Sequence, residues 1–311
     1  MTATVIFHVP DPEGRLAGIR LHPGGYDFRR DNGGWTLVID RPPLSRLEYL
    51  LEFRYPDGHE EMGTDPGNPR RADGAFGPKS VLEFPEYVPP AWLNAPADPG
   101  TMDGDVWSPA GTASGEPLPL LIVHDGPEYD ALASLTRYLA AGITGGWLPR
   151  LRAALLRPGP RDRWYSANPR CATALARLDV PATTARIGMG TSLGALAMLH
   201  AHSRYPSTFD ALFLQSGSFF TTQFDAQEER FPYYQRVVRF VATAQFKNPI
   251  PVTLTCGRCE ENIENNRLMT RTLQAHGYPA TLHEGRDMHN YTAWRDAFDP
   301  HLTRLLQQSC G

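Results

Sequence analysis

Five residues near the middle of the chain have the pattern of an activated serine. Gly190-Thr191-Ser192-Leu193-Gly194 is a G-x-S-x-G sequence between a predicted strand and an apolar-striped predicted helix. This strand–turn–helix context is typical of a nucleophile elbow, in which a strained turn exposes the serine. Ser192 would then lie at a helix N-terminus, and the backbone N–H of Leu193 would donate to a developing oxyanion. The structural alternative is a glycine-bounded turn in which Ser192 is an ordinary helix N-cap.

A serine hydroxyl is nearly inert at neutral pH, so it needs a histidine base, and the base needs a carboxylate to fix its tautomer. In elbow enzymes the chain order is serine, acid, histidine. Of the histidines after residue 192, His289 alone falls in a loop between the last predicted strand, 280–283, and the last predicted helix, 291–307. This position favours His289 as the base over an ordinary surface-loop histidine.

The acid is expected just after the predicted strand 251–255. Glu260 and Glu261 both follow it and are both candidates, although one of them would simply favour the start of the next helix. Asp287 is a less favoured third candidate, because it is so close in sequence to His289 that it would not hold the imidazole easily.

A second oxyanion donor is expected from the loop after the first buried strand of the sheet. That loop contains Gly126 and Glu128, and both remain candidates, whereas Pro127 between them has no N–H to donate. Each such donor typically lowers a barrier by about 3 kcal/mol.

Two kinds of sequence surround these residues. Short strand-like segments with turn signals occupy residues 1–92 and predict a small N-terminal β-sandwich. In residues 93–311 strands alternate with helices, which predicts an α/β domain with a mostly parallel sheet and its site at the carboxyl ends of the strands. The other predicted strands of this region are 118–124, 184–189 and 209–214, and the other predicted helices are 131–141, 193–203 and 262–276.

Composition excludes several classes of protein. The chain has 311 residues, a formal net charge of −4 and 41% apolar residues, which disfavours a general nucleic-acid binder and a disordered chain. It contains no apolar run long enough for a membrane helix, no visible signal peptide and only four cysteines. We therefore expect a cytoplasmic protein with reduced thiols and without membrane or nucleic-acid partners. The expected partner is a small-molecule substrate, and the sequence leaves open whether the N-terminal domain shapes the pocket or mediates a homodimer.

At these residues the chain resembles the enterochelin-esterase-like branch of the esterase D family of α/β-hydrolases. The resemblance covers most of the chain. It is carried by residues 65–69 and 85–92, by His124-Asp125-Gly126, by the serine motif, by Gly257-Arg258-Cys259-Glu260 and by His289-Asn290-Tyr291-Thr292-Ala293-Trp294-Arg295.

The resemblance implies an α/β-hydrolase fold, ester hydrolysis, no cofactor or metal, and a triad of Ser192, Glu260 and His289. It thereby selects Glu260 over Glu261. Residues 161–168 resemble a loop that lines the substrate pocket in relatives, but Trp164 stands where the family usually has glutamate, so a siderophore substrate is not implied.

Four residues are candidates for substrate contacts. Arg161 belongs to a group of six arginines, at positions 150, 152, 157, 161, 163 and 170, which is either a solvated surface or an anion-attracting rim. Trp164, Tyr291 and Trp294 are candidates for an aromatic wall and equally for packing.

Three alternatives remain beside an esterase. An acyl-enzyme that passes its acyl group to an alcohol would be an acyltransferase on the same triad. A degenerate hydrolase domain would only bind its ligand. The C-x-x-C formed by Cys256 and Cys259 superficially suits a redox site, but the acid turn explains this position better.

Overall fold

The computed structural model describes residues 4–310, and these form two compact units. The first contains residues 4–88 together with the segment 286–290, and the second contains residues 89–285 and 291–310. The sequence placed the boundary at residue 92. Trp92 is buried in a core cluster of the second unit, which accounts for a boundary that lies after Val88.

The first unit is built of antiparallel strands. They are β1 Thr4–Pro10, β2 Gly18–His22, β3 Tyr26–Asp27, β4 Arg29–Asp31, β5 Gly34–Asp40, β6 Arg46–Arg54, β7 Glu60–Gly63, β8 Arg71–Ala72 and β9 Lys79–Glu83. One sheet has the order β1-β5-β4, and the other has the order β3-β2-β6-β9-β8 with β7 also paired to β6.

Alternation along β1 explains the core of this unit. Val5, Phe7 and Val9 are buried while the residues between them are exposed, as expected for a strand with one face against a core. The Phe7 ring packs edge-on against the Tyr49 ring of β6, with 5.2 Å between centroids. Side chains of the two sheets therefore meet, and the predicted β-sandwich remains the interpretation that these contacts favour.

The second unit is a mixed α/β fold around one sheet. Its strands are β10 Thr101–Asp103, β11 Val106–Ser108, β12 Leu120–His124, β13 Arg152–Leu156, β14 Arg186–Thr191, β15 Ala211–Gln215, β16 Val252–Gly257 and β17 Ala280–Gly285. The order is β10-β11-β13-β12-β14-β15-β16-β17, and the six strands from β13 to β17 in this order are parallel.

Helices cover both faces of this sheet. They are α1 Gly126–Ala133, α2 Leu135–Thr144, α3 Arg161–Tyr165, α4 Pro169–Ala176, α5 Leu193–Arg204, α6 Tyr234–Thr243, α7 Ile263–Ala275, α8 Tyr291–Asp296 and α9 Thr303–Ser309. Every residue of β12 is buried, and successive residues, such as Leu121 and Ile122, belong to different hydrophobic clusters. The predicted mostly parallel sheet with helices on both faces is confirmed.

Two predicted elements differ from the structure, and a strand inside the sheet was not predicted. The helix predicted over 131–141 is two helices, α1 and α2, because Ser134 between them has a φ of 54°. The last predicted helix is interrupted at Asp299, which has φ −108° and ψ 122° before Pro300, a residue that disfavours helical backbone in its predecessor. Strand β13 lies within the arginine-rich region and was not predicted, since its Ala-Ala-Leu core is too short to give a periodic signal.

Within residues 4–310 no helix is long and apolar enough to cross a membrane.

Candidate active site

Ser192 lies at a strained turn between β14 and α5. Its backbone has φ 54° and ψ −123°, a conformation that costs a non-glycine residue of order 1–3 kcal/mol. The turn is so tight that a Cβ on Gly190 would lie 2.5 Å from the backbone carbon of Gly194. The Ser192 side chain makes no capping hydrogen bond to α5, so the alternative of an ordinary helix N-cap is wrong. Such strain clusters at functional sites.

The segment after β15 forms hydrogen bonds with both the N–H and the carbonyl of Ser192. The Ser192 N–H donates to the Gln215 carbonyl at 2.9 Å, and the Ser218 N–H donates to the Ser192 carbonyl at 3.1 Å. The two hydroxyls of Ser192 and Ser218 are also within hydrogen-bond distance, at 3.1 Å. The nucleophile candidate is therefore held by a neighbouring strand end as well as by its own helix.

Glu260 follows β16, the next strand of the sheet, and is 5% exposed. Its Oε1 accepts from the Gly257 N–H at 2.6 Å and from the Ser216 hydroxyl at 2.8 Å. The Ser216 oxygen in turn accepts from the Trp294 indole N–H at 2.9 Å. This chain of hydrogen bonds fixes the orientation of the carboxylate.

The two other candidates for the acid are placed differently. Glu261 is exposed to solvent. Asp287 accepts hydrogen bonds from the Met288 N–H at 2.7 Å and from the Asn290 amide at 3.0 Å, so its carboxylate stabilises its own loop. Burial raises the pKa of Asp287 to about 7. These placements favour Glu260 among the three.

His289 lies in the segment 286–290 between β17 and α8, and its side chain is exposed. This segment groups with the first unit, whereas Ser192 and Glu260 belong to the second. The position after the last strand of the sheet is the one that the sequence predicted for the base.

The loop after β12 begins with a second positive φ. Asp125 has φ 53°, and its carboxylate forms a bidentate ion pair with the Arg161 guanidinium, at 2.8–3.1 Å. The Asp125 N–H donates to the Tyr165 hydroxyl at 3.2 Å. A Cβ on Gly194 would lie 3.4 Å from the Asp125 carboxylate, so this loop lies against the start of α5.

Gly126 is the first residue of α1, as Leu193 is the first residue of α5. First-turn N–H groups have no acceptor within their own helix, so these two remain available as donors. A Cβ on Gly126 would lie 2.3 Å from the Leu155 Cα, which restricts this position to glycine. Glu128, the other candidate donor, is partly buried, and its Oε2 has no hydrogen-bond partner among residues 4–310.

The four residues predicted to contact substrate differ in how deeply they are buried. Trp164 and Arg161 are partly exposed on α3, although Arg161 is also the partner of Asp125. Tyr291 and Trp294 are 8% and 6% exposed and belong to a core cluster, where their rings pack edge-on with 4.7 Å between centroids. Of the two roles that the sequence left open for these two residues, the structure favours packing.

Most of the neighbouring arginines are engaged within the protein. Arg150 lies 3.6 Å from a Glu116 carboxylate oxygen, Arg152 donates to the Glu116 carbonyl, and Arg157 pairs with Asp105. The interpretation as an ordinary surface is favoured over an anion-attracting rim.

The cysteines do not resemble a redox centre. All four are free thiols, and burial raises the pKa of Cys256 and of Cys259. Reactive thiols have lowered pKa values instead. Residues 4–310 contain no cluster of three or more potential metal ligands.

Comparisons with solved structures agree with this architecture. An enterochelin esterase from Shigella flexneri superposes with a TM-score of 0.74 at 17% identity, covering 98% of this chain and 93% of that chain. A ferric enterobactin esterase from Salmonella typhimurium gives 0.69 at 17% identity, with 98% and 94% covered. The chain has the fold of the enterobactin esterases. A ferulic acid esterase gives 0.52 at 13% identity over 65% of this chain and 91% of that chain. No family model and no curated protein matches the sequence.

The sequence analysis missed the segment Gln215-Ser216-Gly217-Ser218. Two of its hydroxyls touch the nucleophile and acid candidates. The available signal was its place directly after a buried strand next to β14, at the edge where an α/β sheet carries its site.

Proposed function

We propose that this protein is a serine ester hydrolase with an α/β-hydrolase catalytic domain, acting through an acyl-enzyme on Ser192. The observation that carries the proposal is the strained backbone of Ser192, whose hydroxyl does not cap its helix. The buried, hydrogen-bonded Glu260, which follows β16 two strands away from β14 in the sheet, supports it. The shared fold with esterase structures is consistent with it.

In the proposed mechanism Ser192 attacks the ester carbonyl while His289 accepts its proton. Glu260 orients the imidazole and stabilises the imidazolium. The Leu193 N–H and the Gly126 N–H stabilise the oxyanion, with Glu128 as the alternative second donor. The alcohol leaves with a proton from His289, and water then attacks the acyl-enzyme in the same way. These steps use only side chains, backbone N–H groups and water.

The proposed substrate is a small carboxylic ester. The solved structures with this fold include esterases for enterobactin and ferulic acid, and their substrates differ widely. In this chain Trp164 and the partly exposed edge of Arg161 are the proposed substrate contacts, whereas Tyr291 and Trp294 support the site from the core. Trp164 in place of the family's glutamate favours an apolar or aromatic group at this position.

A panel of chromogenic esters that vary in acyl length and charge tests the proposal. Wild-type protein should hydrolyse at least one ester, and Ser192→Ala should lose this activity at least a thousandfold. Glu260→Gln should lose a large share of kcat, while Glu261→Gln, a matched change at the next residue, should retain it.

The same panel separates the alternatives. Faster transfer to an added alcohol than hydrolysis would identify an acyltransferase. Absence of turnover on every ester, together with no labelling by a fluorophosphonate, would leave a binding protein. Activity retained in Ser192→Ala would contradict the proposal.

A further inference from the structure

The turn formed by residues 215–218 contacts both ends of the proposed catalytic machinery. The Ser218 hydroxyl lies 3.1 Å from the Ser192 hydroxyl, and the Ser216 hydroxyl donates to Glu260 at 2.8 Å. A small displacement of this turn would therefore shift the nucleophile and the acid relative to each other.

This turn has a conformation that it does not hold by itself. Ser216 has a φ of 47°, which is uncommon for a residue other than glycine, asparagine or aspartate and stores strain. Strained backbone persists only where the surrounding structure determines it. The source of that constraint is consequently of functional interest.

Helix α7 supplies the constraint through two asparagines. The Asn266 amide pairs with both polar groups of the Gly217 backbone, since its Oδ1 accepts from the N–H at 3.1 Å and its Nδ2 donates to the carbonyl at 2.8 Å. Asn262 donates to the Ser216 carbonyl at 3.0 Å. Asn266 is 0% exposed, so its bonds are not in competition with solvent.

We propose that Asn266 is a positioning residue of the active site. By clamping Gly217 it fixes the turn whose two hydroxyls align Ser192 and Glu260, and it touches neither the substrate nor the reacting atoms. This inference rests on the proposed ester hydrolysis, and it extends the site to helix α7.

Asn266→Leu tests the proposal, because leucine is similar in size and removes both hydrogen bonds to Gly217. The expected result is a fall in kcat of about 10- to 100-fold, since displacement of catalytic groups by about 1 Å can cost 10²-fold. KM should change little, and inactivation by a fluorophosphonate should slow by a similar factor.

Asn266→Asp is the second variant, and it carries the test if the leucine variant does not fold. One carboxylate oxygen can still accept from the Gly217 N–H, but the other faces the Gly217 carbonyl. We expect a kcat below that of wild type, and above that of Asn266→Leu where the leucine variant folds, again with little change in KM.

Tyr278→Phe is the matched control. It removes a hydroxyl that forms hydrogen bonds with His202 at 2.9 Å and with the Lys247 carbonyl at 2.7 Å. Tyr278 lies just before the amino end of β17, whereas the turn 215–218 lies at the carboxyl end of β15. It should lower the denaturation midpoint like the Asn266 variants while retaining kcat within about twofold, because its contacts lie far from the strained turn.

Ser192→Ala separates this inference from the proposed function. If Ser192→Ala is inactive and a folded Asn266 variant has wild-type kcat, the positioning role is wrong and ester hydrolysis stands. If Tyr278→Phe loses as much kcat as the Asn266 variants, the effect follows stability and the positioning role is again wrong. If Ser192→Ala remains active, the proposed function itself fails.

Discussion

Removing the Ser216 hydroxyl should damage stability and catalysis together. This hydroxyl is fully buried, donates to Glu260 at 2.8 Å and accepts from the Trp294 indole at 2.9 Å. Ser216→Ala therefore breaks two hydrogen bonds in the interior, one of them to a carboxylate.

The magnitude follows from the two bonds. A hydrogen bond to a charged group contributes about 1.5–3 kcal/mol, and taking the acceptor from a buried N–H costs about 1–3 kcal/mol. We expect Ser216→Ala to lower the free energy of unfolding by about 3–5 kcal/mol. Because the Glu260 carboxylate also loses a hydrogen-bond donor that orients it, we expect kcat to fall about 10- to 100-fold.

Denaturant unfolding and chromogenic ester hydrolysis measure the two effects on the same samples. Ser203→Ala is the matched control, since it removes a hydroxyl that bonds the Gln245 carbonyl near the end of α5. Trp294→Phe should retain most of kcat, because the bond from Ser216 to Glu260 remains. The variant that combines Ser216→Ala with Trp294→Phe should lose about 1–2 kcal/mol less free energy of unfolding than the sum of the two single losses.

Two results would refute this reasoning. If Ser216→Ala unfolds within about 0.5 kcal/mol of wild type, the buried bonds do not stabilise the fold as argued. If its kcat matches that of Ser203→Ala, Ser216 does not orient the acid.

Three further predictions concern the same unit and its surroundings. Gly126→Ala should abolish activity and destabilise the fold, because its Cβ would lie 2.3 Å from backbone of β13; activity near the wild-type level would contradict this placement. Ser218→Ala should change kcat/KM while leaving the denaturation midpoint nearly unchanged, and unaltered kinetics would show that its contact with the nucleophile is incidental. Burial lowers the pKa to about 3 for His124 and about 4 for His200, His202 and His301. When the protein unfolds below roughly pH 6.5, the ordinary pKa of histidine, these four side chains take up protons. The free energy of unfolding should therefore fall as the pH drops from roughly 6 to 4.5, by up to about 1.4 kcal/mol per histidine and pH unit. Asp287, with its pKa raised to about 7, releases one proton on unfolding in this range and so offsets the uptake by one histidine. A melting temperature that stays constant over that pH range would contradict the prediction.

The strand–helix alternation and the serine turn were predictable from sequence because each is encoded locally. The elbow needs small residues at 190 and 194 and an apolar strand before it, and these are contiguous in the chain. The place after a strand left Glu260 and Glu261 both open, and the family resemblance selected Glu260. The burial and hydrogen bonds of Glu260 favour that choice.

The supporting contacts were not predictable from one sequence, because they join distant segments. Asn266 binds a backbone segment 49 residues away, and Trp294 donates to a hydroxyl 78 residues away. The bidentate pair of Asp125 and Arg161 spans 36 residues. Arginine in a polar stretch is typical of a solvated surface, and its partner becomes visible only when the strands are assembled.

The most direct test of the central claim is the site of reaction with a fluorophosphonate. After labelling and digestion with trypsin, the adduct should be found on the peptide of residues 187–204, at Ser192. Ser192→Ala should remain unlabelled, and His289→Asn and Glu260→Gln should label far more slowly than Glu261→Gln. An adduct on another residue, or labelling of Ser192→Ala at the wild-type rate, would contradict the account.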